Sequence, residues 1–221
     1  RNRLQERAAA LLGAPHAELR QGRFVAAGTP DTAERGIAVA DAIARLREDV
    51  VGRARLQAGS AEAIINAFAV HFAEVEVELE SGRIRILRYV AAQDSGRIVN
   101  PLLAANQVSG GVLQFLGIAL REELYLDEPS GVTLNPSFLE HKSTAIVDFP
   151  PIETLFPAGP DPLGPFGAKA LGEPPVVPVF AAVANAVANA TGAWLHELPF
   201  SPRRVLEALH ALPLTLRRAL P

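Results

Sequence analysis

The sequence predicts an α+β fold in which antiparallel hairpins pack on a long helix. Residues 70–79 alternate apolar with mostly acidic side chains, and residues 83–90 alternate basic with apolar ones. Such alternation is typical of half-buried strands, and Ser81-Gly82 between them supplies a tight turn. The acidic outer face of one strand lies opposite the basic outer face of the other, which favours an antiparallel pair.

Helices are predicted on both sides of this hairpin. Residues 1–12 read as a helix with Leu4, Ala8 and Leu11 on one face, and residues 37–46 read as a modest amphipathic helix. A short extended segment lies between them, around residues 22–26. The lead-in therefore combines helix and strand.

The long helix is predicted from Leu102 to about Leu124, after Asn100-Pro101. It contains Gly110, Gly111 and Gly117, each of which weakens a helix relative to Ala. Glycine in such positions usually means that another backbone or a ligand comes close. A second hairpin-like stretch and a proline-rich connector are expected to follow.

Two further helices complete the expected fold. An Ala/Val-rich helix is predicted over residues 174–190, ended by Thr191-Gly192, and a short one over residues 202–209 with Ser201 as its N-cap. We expect the Ala/Val-rich helix to lie beside the long helix, and residues 210–221 to form a tail.

Composition excludes several classes of function. The 221 residues are 49% apolar with a net charge of −3, and Lys and Arg are scattered, so neither a nucleic-acid surface nor a membrane span is expected. The chain has no Cys, so it ligates no iron–sulfur cluster, and a reducing, cytoplasmic location is favoured. Its five His residues lack metal-ligand spacing, so no metal is expected to bind side chains directly. With no Met and Arg at position 1, it reads as a piece of something longer, or a processed product.

The segment most suggestive of chemistry is Gly-Pro-Phe-Gly-Ala-Lys-Ala-Leu-Gly-Glu-Pro-Pro at residues 164–175. Its glycines allow the backbone to approach a ligand, and it delivers Glu173 to the start of a helix, where the dipole favours a carboxylate. A rigidly mounted carboxylate is suited to general-base catalysis. Taken alone, the pattern fits plain helix capping more often than catalysis.

This segment resembles the signature of molybdenum hydroxylases of the xanthine dehydrogenase/aldehyde oxidase family. Residues 93–101, Gln-Asp-Ser-Gly-Arg-Ile-Val-Asn-Pro, look like the family's Asp-x-Gly-x-x-x-Asn-Pro element, and residues 106–114 are similar to its cofactor-side helix. Elements at 135–138, 148–150 and 185–202 keep the family's order and approximate spacing. The resemblance implies the C-terminal part of a molybdopterin-binding domain, with 1–67 as lead-in, 68–209 as motif-bearing core and 210–221 as tail.

The resemblance also implies roles for particular residues. Glu173 falls on the catalytic glutamate, which activates a water-derived oxygen for attack on an electron-poor carbon of an aldehyde or N-heterocycle. Gln107 falls on a glutamine that hydrogen-bonds the pterin. Three residues fall on the loop beside the cofactor, and Phe166 falls near the substrate; the loop residues are Gly167, Ala168 and Lys169.

Each of these residues also has a plainer interpretation. Gln107 fits a solvated helix position, and Lys169 fits an ordinary surface lysine. Asp94 and Asn100 are expected to shape their turn, since such side chains bond their own backbone. His71 is expected to be a packed or half-exposed strand residue.

The resemblance further implies a molybdopterin-type molybdenum cofactor here, with 2Fe–2S clusters and FAD on partner domains or chains. Small-molecule hydroxylation would then require the upstream half of the molybdenum region to complete the site, across a large apolar surface. The alternative is a non-catalytic scaffold or excised fragment that folds and assembles without cofactor.

Overall fold

The computed structural model describes residues 2–29, 36–46, 49–53 and 66–217. The chain divides into two compact units, residues 1–58 and residues 59–221. Each unit has its own hydrophobic core.

The first unit is a small antiparallel sheet with two helices. The sheet order is β1-β2-β3, and Phe24 is the largest side chain of a core that it shares with Ala8 and Ala42. The predicted opening helix and the strand around residues 22–26 are confirmed, whereas the segment from residue 37 begins as a strand. The elements are α1 (Asn2–Leu12), β1 (Ala17–Arg20), β2 (Arg23–Ala26), β3 (Ile37–Ala38) and α2 (Val39–Arg45).

The second unit carries the motif-bearing segments. A three-stranded sheet packs against three helices, and its strands lie side by side in the order Phe68–Val77, Ile84–Asp94 and Ile152–Leu155. The caps agree with prediction: the Asn100 side chain accepts from Leu103 N–H, Ser201 accepts from Arg204 N–H, and Gly192 ends its helix at φ 76°. The elements are β4 (Phe68–Val77), β5 (Ile84–Asp94), α3 (Pro101–Leu120), β6 (Ile152–Leu155), α4 (Val179–Thr191), α5 (Pro202–Ala211) and α6 (Leu214–Arg217).

The predicted hairpin is confirmed, with one change in its charge pairing. Strands β4 and β5 pair antiparallel, and Arg85 lies 2.9 Å from its cross-strand neighbour Glu76. Arg88 faces Glu74 in the register but pairs at 2.5 Å with Glu153 on β6. These exposed pairs are worth little energy individually, so the apolar inner face dominates the stability of the hairpin.

The predicted second hairpin-like stretch is present in short form after α3. Leu126 and Thr133 form an isolated antiparallel bridge, flanked by backbone bonds from Leu134 N–H to the Tyr125 carbonyl oxygen and from Asp127 N–H to the Val132 carbonyl oxygen. The third strand is β6, which pairs parallel to β5. A parallel neighbour needs a crossover connection, and α3 with the segment after it provides one.

The hairpin packs chiefly on α4 rather than on the long helix. The small side chains of the Ala/Val-rich helix allow it to lie close to β4, and α3 lies beside α4 as expected. Helix α3 ends at Leu120, earlier than predicted. The core joins buried residues of the sheet and three helices, among them Tyr89, Ala91, Val108, Val112, Leu116, Val179, Val183, Val187, Val205 and Leu209.

Two helical stretches are long and apolar enough to cross a membrane by length and composition, Pro101–Leu120 and Pro174–Thr191. Both contribute buried side chains to the core of the second unit. A core helix of this kind passes the same test, so the match is weak evidence. The absence of a membrane span stays a prediction.

The glycines of α3 differ in what surrounds them. A Cβ on Gly111 would lie 3.1 Å from Val176 Cγ1 and 3.4 Å from Pro175 Cβ. Because glycine has no Cβ, the segment before α4 can lie close to α3 at this point. Gly110 is exposed and has open space around it. Close approach therefore explains Gly111 but does not explain Gly110.

We expect Gly110→Ala to stabilise the chain by about 0.5–1 kcal/mol, because Ala is the better helix former and meets nothing there. Gly111→Ala gains the same propensity but forces Val176 aside, so it should bring no gain or a loss. Denaturant unfolding of the two variants side by side tests the difference, and equal gains would refute the close-packing role of Gly111.

His71 is a buried member of the sheet, as the packed interpretation expects. Its Nδ1 lies 3.0 Å from the Tyr89 hydroxyl and its Nε2 lies 2.7 Å from Gln93 Nε2. Both ring nitrogens of His71 are therefore hydrogen-bonded to neighbouring side chains within the sheet. Burial lowers the pKa of His71 to about 4 and raises the pKa of Tyr89.

His71 should make stability depend on pH. An unfolded His binds a proton near pH 6.5, whereas the folded one stays neutral until about pH 4, so stability falls as pH drops through this window. Between pH 7.5 and pH 5 the loss should be about 2 kcal/mol. The test compares the loss of unfolding free energy between the two pH values in the unaltered chain and in His71→Gln. The loss should be about 2 kcal/mol larger in the unaltered chain. An equal loss in both would show that His71 is not held neutral.

Candidate active site

The segment from residue 164 to residue 173, here called the glutamate loop, precedes the Ala/Val-rich helix. It contains a 3₁₀ turn at Pro165–Gly167, and a second 3₁₀ turn at Pro174–Val176 follows it. The α-helix itself begins only at Val179. Glu173 therefore precedes a short 3₁₀ turn, which corrects the expectation that it directly opens an α-helix.

The Glu173 side chain is exposed and does not cap the turn. No side-chain capping bond forms there, and no partner of its carboxylate occurs among the described residues. Plain capping therefore fails to explain this glutamate. Its carboxylate is free to act on a ligand.

Glu173 lines a cavity of about 600 Å³. Within the described part of the chain, it is the one ionisable residue of a lining that is otherwise built from Ala, Phe, Pro and Val. Phe68 at the start of β4 and Val177 contribute the largest apolar side chains. The cavity thus offers one acid–base group against apolar walls, an arrangement common in small-molecule sites. The lining residues are Ala67, Phe68, Ala69, Ala170, Glu173, Pro174, Val177 and Pro178.

Gln107 on α3 lies next to the glutamate loop. Its Nε2 donates to the carbonyl oxygen of Gly172 at 2.9 Å, one residue before Glu173. The residue is exposed, so its Oε1 and second N–H remain available to a ligand. The solvated interpretation is incomplete, because this side chain also holds the loop.

The three residues expected beside the cofactor use their backbone N–H groups within the chain. Gly167 N–H donates to Gly164, Ala168 N–H to Pro165 and Lys169 N–H to Ser95, at 2.8–3.0 Å. These amides cannot also serve as free donors to a cofactor. The cofactor contact of Gly167, Ala168 and Lys169 stays a prediction, and it would have to use other atoms.

The loop glycines accommodate the loop's own chain. A Cβ on Gly164 would overlap the Ala168 carbonyl oxygen, and one on Gly167, where φ is 82°, would lie 2.7 Å from Pro160 Cβ. Only Gly172 has open space around it. The glycine pattern at 164 and 167 is thus explained by internal packing, and close ligand approach is left to Gly172.

Lys169 is not an ordinary surface lysine. Its side chain is 8% exposed, and its Nζ lies 2.7 Å from Asp94 Oδ2. Asp94 Oδ1 also accepts from Gly96 N–H at 3.3 Å, the turn-shaping role that was expected. The Lys169 ammonium lowers the pKa of Asp94 below its usual range.

Phe166 is 90% exposed and does not line the Glu173 cavity. Its φ of 55° is unusual for a residue with a side chain. Phe166 as a substrate contact stays a prediction, whereas Phe68, which the sequence did not single out, forms the wall beside Glu173. The alternating strand pattern gives no signal for Phe68, because the role comes from a loop about a hundred residues later.

No cluster of three or more His, Asp or Glu that could hold a metal occurs in the described residues. His141 lies 3.9 Å from Glu122, an isolated pair.

Comparisons with known proteins identify the family to which the chain is similar. A model of the molybdopterin cofactor-binding domain matches residues 1–150. The chain is 42% identical over 144 residues to a xanthine dehydrogenase molybdenum-binding subunit of Escherichia coli O157:H7, which is 65% of this chain and 19% of that protein. It is 37% identical over 145 residues to an aldehyde oxidoreductase molybdenum-binding subunit of Escherichia coli K12, 65% of this chain and 20% of that protein.

Solved structures show the same fold. Quinoline 2-oxidoreductase of Pseudomonas putida 86 superposes with a TM-score of 0.77 at 24% identity, over 96% of this chain and 28% of that one. An aldehyde oxidoreductase of Desulfovibrio gigas superposes with a TM-score of 0.60 at 31% identity, over 66% of this chain and 16% of that one.

The chain therefore belongs to the molybdopterin cofactor-binding domain family. It is homologous to part of the molybdenum-binding subunits of xanthine dehydrogenases and aldehyde oxidoreductases, which confirms the family resemblance. It spans about a fifth of the length of these two relatives. The family match ends at residue 150, before Glu173, so the roles expected of Glu173 and its loop stay predictions.

Proposed function

We propose that the chain supplies the catalytic base and part of the pterin-binding wall of a molybdenum hydroxylase. The observation that carries this proposal is the free, exposed Glu173 carboxylate in an otherwise apolar cavity. The carboxylate takes the proton from a water-derived oxygen as that oxygen attacks an electron-poor carbon of an aldehyde or N-heterocycle. When bound, the molybdenum cofactor supplies the redox chemistry that removes two electrons from the substrate.

The residues present fit such a cofactor through side chains rather than loop amides. Gln107 keeps one acceptor and one donor beyond its bond to Gly172, and an amide of this kind suits a pterin edge. Phe68 and Val177 form apolar walls that favour an uncharged, flat substrate body. The amides of Gly167, Ala168 and Lys169 are used within the chain, so they hold the first half of the glutamate loop without a ligand.

The site requires completion by another segment or chain. Phe68, Phe166 and Val177, which lie around the glutamate loop, are 63%, 90% and 72% exposed. An exposed apolar patch of this kind marks a surface that another segment or chain covers. We propose that the upstream half of the molybdenum-binding subunit covers it. Partners with 2Fe–2S clusters and FAD would carry the electrons onward, because this chain has no Cys to ligate a cluster. A cytoplasmic location remains part of this proposal.

Glu173→Gln tests the base directly in the assembly that contains this chain. It keeps size and polarity but cannot accept a proton, so turnover should fall by ~10²–10⁴-fold while molybdenum and pterin content stay unchanged. The matched control is Glu80→Gln, an exposed glutamate in the β4–β5 turn that does not line the cavity.

Near-normal turnover in the Glu173→Gln assembly would remove the base assignment. An unaltered assembly without molybdenum or pterin, isolated from cells that load other molybdenum enzymes, would instead favour the scaffold alternative.

Gln107→Glu tests the pterin contact. Glutamate at this position cannot donate to the Gly172 carbonyl and offers a ligand acceptors only, so it loses both the loop bond and the pterin donor. With each hydrogen bond worth about 1 kcal/mol, pterin retention on dialysis should weaken by at least ~5-fold. Unchanged retention, measured as released pterin fluorescence, would argue against Gln107 as a pterin residue.

A further inference from the structure

The glutamate loop is bound to the turn after β5 by its backbone. Arg97 N–H donates to the Gly167 carbonyl oxygen at 2.6 Å, and Lys169 N–H donates to the Ser95 carbonyl oxygen at 2.8 Å. Gly96 and Ala168 pair as an isolated antiparallel bridge. These bonds set the register of the first half of the loop, but none of them extends beyond Lys169 toward Glu173.

The Lys169 side chain adds an anchor at that point. Its ammonium lies 2.7 Å from Asp94 Oδ2 and 5.8 Å from the centre of the Phe68 ring. Phe68 and Asp94 are themselves cross-strand partners, at the start of β4 and the end of β5. One buried cation therefore holds the loop against both strands of the hairpin, and the same Phe68 forms a wall of the Glu173 cavity.

We propose that Lys169 is a positioning residue that fixes Glu173 against the hairpin through its ion pair with Asp94. This inference rests on the proposed role of Glu173 as base. Ala170, immediately after Lys169, lines the cavity with Glu173, so a shift at the anchor moves the cavity wall and the carboxylate together. On the far side Gln107 holds Gly172, so the two residues between the anchors, Ala170 and Leu171, have little freedom.

The geometry favours positioning over direct contact of the ammonium with a ligand. The Lys169 side chain is 8% exposed, and its nitrogen is already engaged by a carboxylate and an aromatic face. A buried charge left without its partner is strongly unfavourable, so loss of either member should displace the loop instead of leaving it in place. A residue that binds the cofactor would need its ammonium accessible.

The test uses the complete assembly with Lys169→Met, which keeps the apolar stem and removes the charge. Hydrogen exchange of the Arg97 and Lys169 amides, which are hydrogen-bonded across the anchor, should become at least ~10-fold faster. The kcat should fall by ~10–100-fold, since small displacements of a catalytic group are costly. KM should stay within about 2-fold, and molybdenum content should be unchanged.

Two further variants keep the inference testable if Lys169→Met folds poorly. Lys169→Arg retains a cation for Asp94 and should recover most of the exchange protection. Asp94→Asn should raise exchange at the same amides, and the Asp94→Asn/Lys169→Met double variant should be no worse than Lys169→Met alone. Arg85→Met is the control, because it breaks the exposed ion pair with Glu76 and should change neither readout.

The outcomes separate this inference from the proposed function. Unchanged exchange and kcat in Lys169→Met would overturn the positioning role while leaving Glu173→Gln free to support the base. Loss of molybdenum with unchanged exchange would instead make Lys169 a cofactor ligand. If Glu173→Gln retains turnover, the base assignment fails, and exchange in Lys169→Met still reports whether the anchor exists.

Discussion

The candidate site depends on one close approach, that of the Gly167 carbonyl oxygen to Gly96. A Cβ at residue 96 would overlap this oxygen, and the Gly96 φ of 65° is itself one that side chains disfavour. This contact brings the glutamate loop into backbone pairing with the end of β5. Once the loop is paired there, Lys169 reaches Asp94 and Glu173 is delivered beside the start of β4.

Local features of the fold followed from sequence because they depend on neighbouring residues. The β4–β5 hairpin is encoded by alternation and a turn, and the caps at Asn100, Ser201 and Gly192 by single side chains or a single glycine. The β6 strand was missed because a parallel pairing has no local signature. The alternation also could not show that α4, rather than the longer α3, would cover β4, since both helices are apolar.

The site was predictable in its residues but not in their contacts. Glu173 and Gln107 were found through the family pattern. In the structure, the Gln107 side chain contacts Gly172, the residue directly before Glu173. The pairing of Lys169 with Asp94 spans 75 positions and leaves no trace in spacing. The loop glycines were interpreted as room for a ligand, yet at 164 and 167 they make room for the loop itself.

Through its side-chain amide, Gln107 links ligand binding in the proposed site to the position of the glutamate loop. Its amide nitrogen donates to the Gly172 carbonyl oxygen, and its Oε1 remains an acceptor. In the proposed site, a ligand that donates to Oε1 would polarise the same amide and strengthen the donation to Gly172. Such binding would therefore tighten the segment that carries Glu173. Because such coupling is reciprocal, a glutamate loop that Lys169 already holds in place would in turn keep Gln107 in the orientation that the ligand requires.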